Sequence, residues 1–226
     1  MKRLILFCIL SLLFSFSVLN AQEFSDNVIV DQTSDPIAEK IMKGVKEKYQ
    51  AFTSMEVAIN IKIEGEGEEE EQSMKAKMKG DKYRLEMVDK DVICDGETIW
   101  FHLKDINEVQ INNPATEEDE LTPTGMIKLY EQDMIYVMVG EAKEDGRTVY
   151  KIEFKPKDRD MDFSKFRVSI DKQTSEVTRI IAFSKAASRY ILTFSNLKAN
   201  GAIGDEQFSF DPKNFKDIIV EDLRLE

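Results

Sequence analysis

A single histidine, His102, and two cysteines, Cys8 and Cys94, are all that the chain offers for imidazole or thiolate chemistry. A zinc site of the usual kinds needs four such ligands, so none can be assembled, and no metal or cofactor is expected. A Ser–His–Asp triad would have to use His102, and no nucleophile-elbow sequence accompanies it. His102 stands in Trp100-Phe101-His102-Leu103. If Ile99, Phe101 and Leu103 face inward, His102 points to the outer face as a surface or interface histidine. Carboxylates are abundant but not arranged for catalysis. The run Glu64-Gly65-Glu66-Gly67-Glu68-Glu69-Glu70-Glu71 lies between two strand patterns and reads as a solvated hairpin tip whose like charges repel. It lacks the spaced Asp/Asn ligands and the bidentate Glu of a calcium loop. Asp158 and Asp160 are exposed by context, so glycosidase chemistry has no support. The expectation is a protein that is not an enzyme.

The apolar residues say more. Met42, Met55, Met74, Met78, Met87, Met126, Met134 and Met138 occupy apolar positions across helix and strand patterns. Methionine is flexible and polarizable, and recurs on surfaces that must fit variable partners. Two readings follow: a cavity for flexible acyl chains, or an ordinary core with adaptable filler.

The elements that must position these residues can be read from periodicity. Asp35 can cap a helix that Pro36 begins, with Ile37, Ile41, Val45, Tyr49 and Phe52 on one face. From Met55 the period becomes two: Met55, Val57, Ile59, Ile61 and Ile63 alternate with polar residues. Runs at Met74–Met78, Tyr83–Met87, Asp91–Cys94, Thr98–Leu103 and Glu108–Asn112 continue the pattern, with Asp95-Gly96 giving a two-residue hairpin signal. Residues 113–125 form a long loop with two prolines and an acidic cluster, and a short helix follows from Thr124. Strands resume at Met134–Val139, Val149–Phe154, Phe166–Ile170, Val177–Phe183 and Tyr190–Leu197, with Asp145-Gly146 and Asn200-Gly201 as turns, and Ile218–Val220 closes the chain. The predicted fold is mainly β: an incomplete antiparallel β-barrel of about ten to eleven strands, with helices covering its concave apolar face. Because the strands alternate, only one face needs covering.

At the N-terminus, Lys2 and Arg3 precede an apolar run from Leu4 to Leu19 and the small-residue site Asn20-Ala21-Gln22. This order predicts a signal peptide over residues 1–21, cut after Ala21, and a single domain over 22–226. Cys8 lies inside the apolar run after Leu6-Phe7, which is not a lipid-anchoring context. The expected location is therefore the periplasm, without a lipid anchor. Cys94 would then be the sole cysteine, so no intrachain disulfide can form. The formal charge of −12, from 31 basic and 43 acidic residues, argues against nucleic acid and anionic membranes as direct partners.

Four segments in this order resemble the periplasmic outer-membrane lipoprotein carriers, the LolA-like proteins. They are the helix-to-strand passage Ile37–Ile63; Lys79-Gly80-Asp81-Lys82-Tyr83-Arg84-Leu85-Glu86; the hairpin Val92-Ile93-Cys94-Asp95-Gly96-Glu97-Thr98-Ile99-Trp100-Phe101; and the ending from Asn196-Leu197 through Phe208-Ser209-Phe210-Asp211-Pro212 to Ile219. The resemblance implies a half-open barrel with a helical lid over an apolar cavity. It also implies partners: acylated lipoproteins, an inner-membrane ABC-type release complex and an outer-membrane acceptor, served by a monomer. The family's arginine-proline turn, which ties the lid shut, is Gly80-Asp81 here, so that lock is not carried over. Arg84 could substitute only if it faced the cavity, and it should face away from Tyr83 and Leu85. The candidate lipid-binding residues are Val57, Ile59, Ile61, Met74, Met78, Tyr83, Leu85, Met87, Ile99, Phe101, Met126, Leu129 and Tyr130. The alternative on the same fold is a regulatory module that senses a lipid or a mislocalised lipoprotein.

Overall fold

A computed structural model describes residues 33–65, 69–114 and 134–224. The signal-peptide segment, the helix from Thr124 and the candidates Met126, Leu129 and Tyr130 lie outside the described residues. Among the described residues, no helix is long and apolar enough to cross a membrane.

One helix, α1 (Pro36–Gln50), precedes six strands: β1 (Met55–Glu64), β2 (Glu69–Lys79), β3 (Lys82–Glu86), β4 (Lys90–Cys94), β5 (Ile99–Leu103) and β6 (Glu108–Asn112). Five more follow: β7 (Met134–Glu144), β8 (Arg147–Pro156), β9 (Phe163–Asp171), β10 (Val177–Ser184) and β11 (Arg189–Ala199). Short 3₁₀ turns at Asp205–Phe208 and Pro212–Asn214 lead to β12 (Ile219–Asp222). All twelve strands form one open sheet in the order β12-β6-β5-β4-β3-β2-β1-β11-β10-β9-β8-β7. Two antiparallel meanders, β1–β6 and β7–β11, are thus joined by β1 pairing with β11. The expected incomplete, mainly antiparallel sheet is present, with twelve strands. The last is parallel: Ile219 through Asp222 pair with Glu108 through Ile111 of β6. Periodicity does not encode strand direction, and a parallel partner requires a long return connection, which residues 200–218 supply.

Asp35 caps α1 as expected, its Oδ1 accepting from the Ile37 N–H at 2.8 Å. The buried stripe is Ala38, Met42 and Val45, while Ile37 is exposed, so the predicted face is rotated. Anchors at both ends set that rotation. The Asp35 N–H donates to the Tyr136 carbonyl at 2.8 Å and the Tyr136 N–H to Ser34 Oγ at 3.1 Å. At the other end the Tyr49 hydroxyl accepts from the Val177 N–H at 3.2 Å, and Lys48 Nζ donates to the Thr174 carbonyl at 2.6 Å. Replacing Asp35 by alanine is expected to cost about 1 kcal/mol, read as a small fall in Tm on thermal melting.

Asp145-Gly146 makes the expected two-residue turn, with φ of 48° and 78° and Glu144 opposite Arg147. Asp95-Gly96 does not. Cys94 pairs with Ile99, leaving four residues between the strands. Asp95 Oδ1 accepts from the N–H groups of Glu97 at 2.9 Å and Thr98 at 2.8 Å, so its side chain closes the turn together with the backbone bond from the Asp95 N–H to the Thr98 carbonyl at 3.3 Å.

The sheet has an inner face, which carries α1, and an outer face. The outer face was expected to need no cover, but over β4–β6 it has its own core. Ile93 and Val109 are fully buried there, and residues 201–215 run across it. The Gln207 carbonyl accepts from Arg84 at 3.4 Å, Lys77 Nζ donates to Gln207 Oε1 at 2.8 Å, and Lys79 Nζ to the Ile203 carbonyl at 3.1 Å. His102 is accordingly buried, not at the surface. Its ring lies 5.1 Å from Phe210 and 4.7 Å from Phe215.

Candidate functional site

The register brings distant residues into rows on the inner face. Val57 lies opposite Ala76 and Ile59 opposite Met74. Ala76 lies opposite Leu85 and Met78 opposite Tyr83. Leu85 faces Val92, and Val92 faces Phe101. On the other flank of β1, Ile59 pairs with Phe194 and Ile61 with Leu192. Side chains at such positions sit close enough to pack.

The described candidates all fall in one cluster. Val57, Ile59, Met74, Met78, Tyr83, Leu85 and Ile99 are buried in it, and Ile61, Met87 and Phe101 pack against it. Sequence reasoning missed several members: Met55, Ala76, Cys94 and Leu192, with Tyr49, Phe52, Tyr190 and Phe194 at the margin. The alternation of β11 marks Tyr190, Leu192 and Phe194 as one face, but only the β1–β11 pairing shows which cluster they join. Cys94 is buried, and burial pushes its thiol up from its ordinary value, so it behaves as a small apolar side chain.

A second cluster on the same face contains Ala38, Met42, Val45, Met134, Ile152, Phe154, Phe166, Val168, Ile170 and Ala182. It is more fully buried at its centre: Ile152, Val168 and Ile170 expose 0, 2 and 1%. In the first cluster Met74 and Leu85 each keep 9% and Met55, Val57 and Met78 each keep 8%. Each cluster gathers four methionines: Met55, Met74, Met78 and Met87 in the first, and Met42, Met134, Met138 and Met161 in the second. An open groove of about 420 Å³ lies on the opposite, outer face, lined by Ala58, Asn60, Ser73, Lys75, Glu86 and Ser195, with Ile59, Met74, Met87 and Val88 contributing.

Charge is kept on the outer face. Arg84 points away from Tyr83 and Leu85, pairing with Glu86 at 3.0 Å and Asp91 at 3.1 Å, so it cannot tie a lid to the inner face. Asp91 also meets Lys104 at 2.6 Å. Among the described residues, no group of three or more His, Cys, Asp or Glu could hold a metal ion. Burial pushes the His102 imidazole below its ordinary value, against the pull of Asp91. The unfolded chain therefore binds the proton more readily, and stability is lost as pH falls through about 6.5. His102→Gln is expected to lose less Tm than the wild type between pH 7 and 5 by calorimetry.

Residues 75–211 match the family model described as "Outer membrane lipoprotein carrier protein LolA". The chain belongs to the LolA family. The matched span runs from β2 through Asp211, in the segment 201–215 that straps the outer face, and so includes most strands of the first apolar cluster. LolA-like proteins act outside the cytoplasm as binding and carrier proteins. An uncharacterized protein of Methanocaldococcus jannaschii is 25% identical over 183 residues, covering 77% of this chain and 51% of its own length. The chain thus spans about half the length of the curated relative it matches. Among solved structures, an uncharacterized conserved protein from Thermus thermophilus aligns with a TM-score of 0.55 at 12% identity, covering 82% of this chain and 99% of that one. The likeness establishes a shared fold. The Mycobacterium tuberculosis lipoprotein LppX aligns with a TM-score of 0.48 at 16% identity, over 76% of this chain and 99% of its own.

Proposed function

We propose that the protein is a periplasmic carrier that holds the acyl chains of lipoproteins against the first apolar cluster and ferries them from the inner to the outer membrane. The observation that carries this reading is the gathering of Val57, Ile59, Met74, Met78, Leu85 and their neighbours on one face, slightly more exposed than the second cluster. A carrier has to cover acyl chains worth about 0.8 kcal/mol per buried methylene and still release them. Unbranched, polarizable methionines reshape around a flexible ligand at little cost, which suits that compromise. Family membership supports the same conclusion. The remaining parts of the proposal are an ATP-driven release complex at the inner membrane, an acceptor at the outer membrane, and a monomeric, non-enzymatic carrier between them.

The test is native mass spectrometry with lipid extraction on the protein purified from its own host. Co-purified acylated lipoprotein, together with uptake of a fluorescent fatty-acyl probe, is the expected result. Leu85→Asp and Phe101→Glu should abolish both while circular dichroism reports an intact sheet. A protein that carries no lipid and takes up no probe would remove the acyl-binding reading and leave a regulatory interaction module on the same fold.

A further inference from the structure

His102 is the chain's single histidine, and neither apolar cluster of the inner face includes it. It projects from β5 onto the outer face and is only 7% exposed, because the strap covers it. The rings of Phe210 and Phe215 stack on each other at 4.7 Å, and both lie against the imidazole, at 5.1 and 4.7 Å. On β4 the residue opposite is Asp91, whose carboxylate already meets Arg84 of β3 at 3.1 Å and Lys104, just beyond β5, at 2.6 Å. Glu86 is likewise held by Arg84, at 3.0 Å. On β6 the residue opposite is Val109. The strap's charged residues nearby, Asp211, Lys213, Lys216 and Asp217, are exposed to solvent. A proton on His102 would therefore place a third cation beside a carboxylate that holds two, under two rings and away from water. Burial outweighs the attraction of Asp91, so the covered imidazole holds its proton less readily than an open one.

The two halves of the strap are fastened differently. Residues 201–208 are anchored by the buried Ile203 and Phe208 and by bonds to Lys77, Lys79 and Arg84. Beyond Phe208 the chain rests on the two rings, on the Asn107 side-chain amide donating to the Lys216 and Asp217 carbonyls at 3.0 Å, and on β12. That strand is four residues long and exposed at every position. The N–H groups of Ile219 and Leu223 donate to the carbonyls of Asn107 at 3.0 Å and Ile111 at 2.8 Å. A segment with so few buried contacts opens at far lower cost than the whole fold. We infer that protonation of His102 lifts residues 209–222 off β5 and β6 while the rest of the sheet stays folded, leaving β6 as the open edge of the sheet. The uncovered imidazole binds its proton with ordinary affinity, near pH 6.5, and the covered one more weakly. The strap is therefore fully held above that pH and loosens as pH falls through it. An open edge is where a strand from another chain can add, so the latch makes that edge available only in acid. It does not depend on the carrier reading.

With one histidine in the chain, proton NMR follows a single imidazole, and hydrogen exchange read by mass spectrometry follows the strap. Wild type is expected to titrate below the ordinary histidine value, and Phe215→Ala to titrate closer to it. Between about pH 7.5 and about pH 5.5, above the ordinary carboxylate range, protection of residues 209–222 should fall by roughly threefold or more once intrinsic rates are corrected for. Over the same interval α1, β8 and β9 should keep their protection. His102→Gln, which takes up no proton, should show no such fall. An imidazole that titrates at the ordinary value in wild type would overturn the inference, as would β12 protection that is the same at both pH values or that falls equally in His102→Gln. A loss shared by β8 and β9 would also reject it, since the whole fold would then be responding. Should His102→Gln fail to fold, the Phe215→Ala titration decides: an unmoved midpoint means that the strap does not set the proton affinity of His102.

Discussion

Cutting Phe208 back to alanine is expected to destabilise the protein by about 3–5 kcal/mol, the range for emptying a buried aromatic site. Its side chain is fully buried although it lies in a single turn of 3₁₀ helix, with no regular element of its own to hold it. The segment around it is tied to the outer face by Lys77, Lys79 and Arg84 and, upstream, by Ser54 Oγ donating to the Gly201 carbonyl at 2.7 Å. Those polar contacts position the strap, but the burial of Phe208 and Ile203 supplies the hydrophobic stabilisation. For a domain of this size the loss corresponds to a fall in Tm of roughly 6–20 °C by calorimetry. A fall of only a degree or two would mean that the strap is an appendage and that the core of β4–β6 survives without it.

The second large effect separates a deformable cavity from a packed core by making the same substitution in both clusters. Val57→Phe enlarges a side chain on β1 in the first apolar cluster, and Val168→Phe does so on β9 between Ile152 and Ile180. Overpacking a close-packed site costs about 1–3 kcal/mol, and Val168→Phe should show that loss in a thermal melt. Val57→Phe is expected to change stability by less than about 1 kcal/mol, because neighbouring methionines can move aside. It should cost roughly tenfold or more in acyl-probe affinity, since the added ring takes up volume a chain would fill. Equal destabilisation at both positions, with uptake unaffected, would mark the first cluster as ordinary core.

Much of this was legible from the chain alone, for a physical reason. Alternation of period two follows from the pleat, so the inward residues of β1, β2 and β3 could be assigned from Val57, Ile59, Met74, Met78, Tyr83 and Leu85 without a structure. The capped start of α1 was equally plain, because Asp35 followed by Pro36 satisfies a local rule. Features that depend on two distant segments were not legible. The rotation of α1 onto Ala38, Met42 and Val45 is set by Tyr136 and Val177, far away in sequence. His102 sits at an outward position by periodicity, and only the return of Phe210 and Phe215 over β5 buries it.

The sequence by itself determined the mainly β, open-sheet architecture, the family resemblance, and which strand residues share the apolar face. Local chemistry and period decide all of these. Tertiary structure alone decided that β12 returns in parallel beside β6, that the outer face has a core of its own, and that β11 completes the first apolar cluster. Each of these depends on which segments become neighbours. That choice is made by the summed burial of both faces of the sheet, and no single stretch of chain records it.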